Sequence, residues 1–158
     1  MGVLEILRAE RVSVANASEG LVRNKADALH RLAALLATGA DVPATEIERA
    51  LVERESKQST GVGGGVAIPH GSIATLEVHV GAILLCPNPI DFDAIDSAPV
   101  SILFAVIGPK REAGEHLKIL ARVSRLLRPD DFRKRLLASS TGALAYERIC
   151  AEETRSGT

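Results

Sequence analysis

Aromatic side chains are nearly missing from this chain of 158 residues, which has three Phe, one Tyr and no Trp. It also lacks an excess of either charge, with 19 basic against 20 acidic side chains. A nucleic-acid partner needs a basic face and, for single strands, aromatic stacking platforms, so nucleic-acid binding is not expected. The two cysteines, Cys86 and Cys150, are far apart and form no C-x-x-C spacing, which argues against a disulfide or a cysteine metal framework. Two reduced thiols point to the cytoplasm. No apolar run approaches the roughly 20 residues of a membrane span. Charged residues interrupt the N-terminal stretch MGVLEILRAERVSV, so neither membrane insertion nor export is expected.

Glycine is the residue concentrated in one place. The stretch Ser59-Thr60-Gly61-Val62-Gly63-Gly64-Gly65-Val66-Ala67-Ile68-Pro69-His70-Gly71 holds five glycines, two hydroxyls, a proline and a histidine. Glycine permits positive φ and close approach to a ligand, Pro69 fixes φ just before His70, and the apolar residues between them read as a short buried strand. The pattern presents one imidazole from a stiff strand end.

The surrounding chain reads as one domain over residues 1–158, with a core of about 10–150 and a short frayed tail from Glu152. Val12-Ser13-Val14 alternates as an edge strand would. Asn24 is an N-cap for a helix from Lys25 to about Thr38, with Leu29, Leu32, Leu35 and Leu36 on one face and Gly39 as its stop. Ile47, Ala50 and Leu51 mark a second helix ending near Ser56, with Arg54 and Glu55 on its last turn. Val78 to Cys86 and Val100 to Ile107 are core strands. The first is broken at Pro87-Asn88-Pro89, and between the two lies a solvated acidic loop, Asp91 to Asp96. A third helix from around Glu112–Glu115 to about Leu127 carries Leu117, Leu120, Val123 and Leu127 as its apolar face and His116 in its first turns. Helices over Asp130 to Ala138 and about Thr141 to Cys150 follow. Helices mixed with buried strands predict an α/β sandwich around one central sheet.

The glycine stretch is not a nucleotide loop. No Lys-Ser/Thr follows Gly61-Val62-Gly63-Gly64-Gly65, and the chain runs on into a strand-like segment where a phosphate-binding helix would be needed. No G-x-S-x-G elbow is present. The four histidines, His30, His70, His79 and His116, include no i, i+4 pair, although folding is able to assemble a metal site from His70, His116 and a carboxylate. Phosphoryl transfer through a histidine needs fewer parts. A neutral imidazole nitrogen is a nucleophile towards phosphorus, while Ser59, Thr60 and the glycine amides (Gly61 foremost) offer donors to phosphoryl oxygens. Arg54 offsets charge, and His116 can share the site. The plainer alternatives are a helix-terminal role for Arg54, a cap or exposed position for His116, and structural or solvent-facing roles for His79 and His30.

The run Arg54-Glu55, Ser59-Thr60-Gly61 and Ala67-Ile68-Pro69-His70-Gly71 resembles the active-site signature of the enzyme IIA domains of the fructose/mannitol class in the bacterial phosphoenolpyruvate-dependent phosphotransferase system. The similarity continues through Phe92-Asp93-Ala94-Ile95-Asp96-Ser97-Ala98-Pro99-Val100, Ile102-Leu103-Phe104-Ala105 and His116-Leu117-Lys118-Ile119-Leu120-Ala121. It implies a mixed β-sheet flanked by helices and a histidine phosphorylated by the phosphohistidine of an HPr-like carrier. By position the acceptor is His70, the second active-site histidine is His116 and the neighbouring arginine is Arg54; no cofactor or metal is implied. DFDAIDSAPV is similar to the nitrogen-regulatory enzyme IIA proteins, which regulate other proteins according to their phosphorylation state. The chain carries no IIB or IIC segment, which weighs against a sugar-specific component passing phosphate to a separate IIB protein. An interaction module that is never phosphorylated is the third reading. Ser72 departs from the lysine that many relatives place after PHG, which changes the charge expected at the rim.

Overall fold

In the computed structural model, which describes residues 1–156, the strands form one mixed six-stranded sheet. Short helix α1 (Val3–Ile6) leads through a single 3-10 turn into β1 (Val12–Val14), and α2 (Lys25–Ala37) and α3 (Ala44–Lys57) follow. Next come β2 (Gly61–Gly63), β3 (Val66–Ala67), β4 (His70–Ile73), β5 (Val80–Ile90) and β6 (Val100–Pro109). Helices α4 (Ala113–Leu126), α5 (Asp130–Leu137) and α6 (Gly142–Ser156) complete the chain. The sheet order is β1-β5-β6-β3-β2, with β4 continuing the β3 side of β6. β5 and β6 pair antiparallel at the centre, while β1 on β5 and both β3 and β4 on β6 are parallel.

Side chains alternate across a strand, so the two central strands feed two cores. Ala82, Leu84 and Cys86 with Leu103, Ala105 and Ile107 pack against Leu29, Leu32 and Leu36 of α2 and Ile47 and Leu51 of α3. Ile83 and Leu85 with Ile102, Phe104 and Val106 pack against Ile119 and Val123 of α4, Phe132 of α5 and Ile149 of α6. The result is the expected sandwich of sheet between helical layers. Asn24 caps α2 as expected, its side-chain oxygen accepting from the Asp27 amide at 2.8 Å.

Five expectations change. β5 does not end at Pro87 but runs to Ile90, its pairing with β6 interrupted between Leu85 and Ile90 where the exposed Pro87-Asn88-Pro89 bulges out. The loop Asp91–Asp96 is not simply solvated, because Phe92 and Ala94 are buried in the α2–α3 core. On α4 the buried stripe is Ile119, Val123 and Leu126, while Leu117 lies on nearly the opposite side of the helix and points to solvent. Residues 152–156, expected to fray, are the last turns of α6, and Gly157 and Thr158 lie outside the described residues. The core also starts before residue 10, since Val3, Ile6 and Leu7 are buried.

Candidate active site

β4 begins at His70, in register with Val106 of β6. Paired residues on neighbouring strands share a face, and Val106 belongs to the α4 side, so the imidazole points that way. Pro69 sets the approach, and its carbonyl oxygen accepts from the Val106 amide at 2.9 Å. The His70 ring is fixed at one nitrogen. Nδ1 lies 2.8 Å from the carbonyl oxygen of Ile68, which is only an acceptor, so Nδ1 carries the hydrogen and Nε2 keeps a free lone pair. Burial lowers the His70 pKa; the bond to Ile68 opposes that shift and the Arg54 charge reinforces it. A neutral ring with Nε2 free is a nucleophile.

His116, in the first turns of α4, lies beside it, the two ring centroids 5.7 Å apart. Its pKa falls to about 4, first through burial and then through the neighbouring His70 and His79. His79 was not expected in this group. Its ring stacks on His116 with centroids 5.5 Å apart and is only 5 % exposed. The signal for it was parity: position 79 matches Ile83 and Leu85, which face α4. His30 is exposed, 2.8 Å from Glu48 and on the opposite helical layer. Among the described residues no three His, Cys, Asp or Glu side chains group to hold a metal ion.

Two clefts meet at His70 and Arg54. One, of about 360 Å³, is lined by three cations, Arg54, Lys57 and Lys110, against one carboxylate, Glu53, together with Ser72, His70 and His116, and is predominantly cationic. The other, of about 400 Å³, is bordered by Val62, Ile68, Ile95 and Leu120 and is largely apolar. Ile95 is 71 % exposed and Val62 53 %, so the apolar rim is open. Arg54 donates to the Gln58 carbonyl oxygen at 2.8 Å, which folds its side chain back over the end of α3 towards both clefts. Lys110 brings a charge to the cleft that Ser72 also lines.

Ser59, Thr60 and Gly61 are arranged differently from the expectation that they hold phosphoryl oxygens. The Thr60 hydroxyl donates to Glu55 at 2.6 Å and its amide to the same carboxylate at 2.8 Å, so both donors are already used. The Ser59 hydroxyl donates to the Phe92 carbonyl oxygen at 2.7 Å and accepts from the Gly61 amide at 3.1 Å. These groups hold the loop in place, and Ser59 and Thr60 border the apolar cleft without offering it a free donor proton. The organiser is Glu55, 6 % exposed and 3.0 Å from Lys25 of α2. Its spacing of four and eight residues from Leu51 and Ile47 marks the inward face of α3, and that was the legible signal.

The sequence matches, over residues 5–150, the family described as "Phosphoenolpyruvate-dependent sugar phosphotransferase system, EIIA 2". It is 39 % identical over 125 residues to a nitrogen regulatory protein of Bradyrhizobium diazoefficiens, covering 79 % of this chain and 82 % of the relative. Its fold superposes on the crystal structure of nitrogen regulatory protein IIA-Ntr from Neisseria meningitidis with a TM-score of 0.82 at 30 % identity, covering 92 % and 97 % of the two chains. IIA mannitol from Escherichia coli shares the fold at a TM-score of 0.74 and 17 % identity, over 90 % and 98 %. No helix among the described residues is long and apolar enough to cross a membrane.

Proposed function

This chain belongs to the type-2 enzyme IIA family of the phosphoenolpyruvate-dependent phosphotransferase system, and on that premise we propose that His70 Nε2 accepts a phosphoryl group from an HPr-like carrier. The observation that carries the reading is the 2.8 Å contact of His70 Nδ1 with the Ile68 carbonyl, which leaves Nε2 as the attacking nitrogen. In the transfer a bond forms between Nε2 and phosphorus while the bond to the carrier's imidazole breaks, its electron pair returning to that ring. Phosphoryl transfer depends mainly on positioning and on offsetting charge. Arg54, Lys57 and Lys110 around the cationic cleft supply that offset, with His116 at its wall. Gly61 and the hydroxyls of Ser59 and Thr60 act one step back, by holding the wall of the neighbouring cleft.

The carrier docks against the apolar rim of Val62, Ile95 and Leu120, since a small exposed apolar patch beside a charged cleft is the usual form of a transient interface. Similarity to nitrogen regulatory proteins supports a regulatory output, in which a target protein distinguishes a cationic cleft from one carrying a phosphoryl dianion. Incubation with phosphoenolpyruvate, enzyme I and the carrier is expected to add one acid-labile, alkali-stable phosphate to the wild type and none to His70→Ala. A phosphate that persists in that variant rejects the assignment. Onward transfer to a IIB protein would replace the regulatory reading with a sugar-specific one, and target affinity indifferent to phosphorylation would leave an interaction module.

A further inference from the structure

His79 is a buried histidine that the transfer step does not use, and it sits in a slot made for a ring. Its position opposite Gly108 of β6 puts its ring where a side chain at 108 would stand: a Cβ built there would lie 2.1 Å from Cδ2 and 2.4 Å from Nε2. Glycine is therefore needed at 108 to admit the imidazole. On its other side the ring stacks on His116, the two planes 29° apart.

Among the described residues only two buried side-chain nitrogens or oxygens lack a hydrogen-bond partner, and they are His79 Nε2 and His116 Nδ1. Two unpaired nitrogens on neighbouring rings are complementary, because one can donate where the other accepts. Leaving both unpaired costs more than pairing them. Since Nδ1 is the buried nitrogen of His116, Nε2 is the one left to the cationic cleft that the residue lines. A neutral imidazole presents a hydrogen on one nitrogen only.

Resting on the reading of His70 as the phosphoryl acceptor, we propose that His79 is a positioning residue that donates from Nε2 to His116 Nδ1 and thereby fixes His116 as the tautomer with its hydrogen on Nε2. In the structure the two nitrogens are unpaired and the rings are stacked, so the proposed bond requires the rings to turn out of that stacked arrangement. His116 then offers the cleft a neutral N–H donor for a phosphoryl oxygen on His70. A neutral donor suits this wall, where Arg54, Lys57 and Lys110 already supply positive charge.

The test is long-range ¹H–¹⁵N correlation of the histidine rings at neutral pH, in the unphosphorylated wild type and in two variants. His79→Phe keeps the stacked ring without a donor, and His79→Gln returns an Nε2 donor of similar reach. In the wild type His79 is expected to carry its hydrogen on Nε2 and His116 to show a bare Nδ1. His79→Phe is expected to raise the Nδ1–H fraction of His116 and to slow phosphorylation by the carrier about tenfold, the worth of one hydrogen bond. His79→Gln restores both. A wild-type His116 protonated at Nδ1, or a tautomer unchanged in His79→Phe, overturns the proposal. A shifted tautomer with an unchanged rate overturns its link to transfer, and equal defects in both variants reduce His79 to packing. The ring measurement needs no phosphorylation, so it stands or falls separately from the assignment of His70.

Discussion

Glu55 takes both hydrogens that Thr60 has to give, the amide at 2.8 Å and the hydroxyl at 2.6 Å, while its carboxylate also sits 3.0 Å from the Lys25 ammonium. This buried knot ties the end of α3 to the start of α2 and to the first residue before the glycine turn. Lys25 extends it, reaching the Phe92 carbonyl oxygen at 3.3 Å and lying 4.6 Å above the Phe92 ring. Removing the carboxylate leaves both Thr60 donors without an acceptor in a place water reaches poorly, and leaves Lys25 to the Phe92 carbonyl oxygen and the exposed Asp93. Glu55→Ala is expected to lower unfolding free energy by about 3 kcal/mol, the usual cost of breaking a buried charged pair. Urea denaturation measures it, and a loss no larger than that of an exposed glutamate such as Glu53 would show that the knot contributes little.

Gly61 stands where the acidic loop closes over the glycine turn. A Cβ there would meet the Ala94 Cβ at 2.7 Å and its Cα at 2.9 Å, and the second is backbone that cannot rotate away. The Ile95 amide donates to the Gly61 carbonyl oxygen at 3.3 Å, so a displaced loop also carries Ile95 off the rim of the apolar cleft. Gly61→Ala is expected to cost about 1–3 kcal/mol, as overpacking usually does, and to weaken carrier docking seen as a raised KM. Thermal melting and carrier titration of the phosphorylation rate read the two effects.

Arg54 and His70 repel one another electrostatically once the imidazole is protonated. Burial is the larger cause of the lowered His70 pKa, and the Arg54 charge adds to it. Arg54→Ala is therefore expected to move the His70 pKa up towards 6.5 without reaching it, because burial remains. Losing a guanidinium from the cleft should also slow phosphorylation about tenfold, in line with one charge-assisted contact. NMR titration of the ring in wild type and variant settles the first, and an unchanged or lower pKa contradicts it.

Acid should loosen this fold at the histidine cluster. The pKa values of His70, His79 and His116 are all lowered from 6.5, that of His116 to about 4. Between pH 6.5 and about 4 the unfolded chain thus binds more protons than the native one, and stability falls as pH falls through that window. The His116 ring is partly exposed, so its share is discounted for solvent screening to about 1–2 kcal/mol. Urea midpoints at pH 7.5 and pH 4.5 measure the slope. His116→Phe should flatten it, whereas an equal slope in that variant would remove His116 from the account.

Local chemistry made much of this protein legible in one dimension. Asn24 before a run of period-3.6 leucines is sufficient to start α2, and the apolar runs around Leu84 and Leu103 are sufficient for two central strands, because caps and periodicity act over a few residues. Ile68-Pro69-His70 likewise carries its own geometry, since a proline-fixed turn into a strand lets the ring bond back to a carbonyl two residues earlier. What surrounds His70 was set by the packing of distant elements. Pairing of β4 on β6 brings His70 to the face on which α4 lies, and pairing of β5 on β6 brings His79 over Gly108 from the other side. The hydroxyls of Ser59 and Thr60 look equally free on paper, yet the buried Glu55 and the Phe92 carbonyl claim them once α3 and the acidic loop have docked. Sequence by itself determined the capped helix α2, the two central strands and the backbone contact of the His70 ring, because these follow from contacts within a few residues. Tertiary structure decided which other side chains that imidazole meets, because those contacts depend on strand register and helix docking across tens of residues.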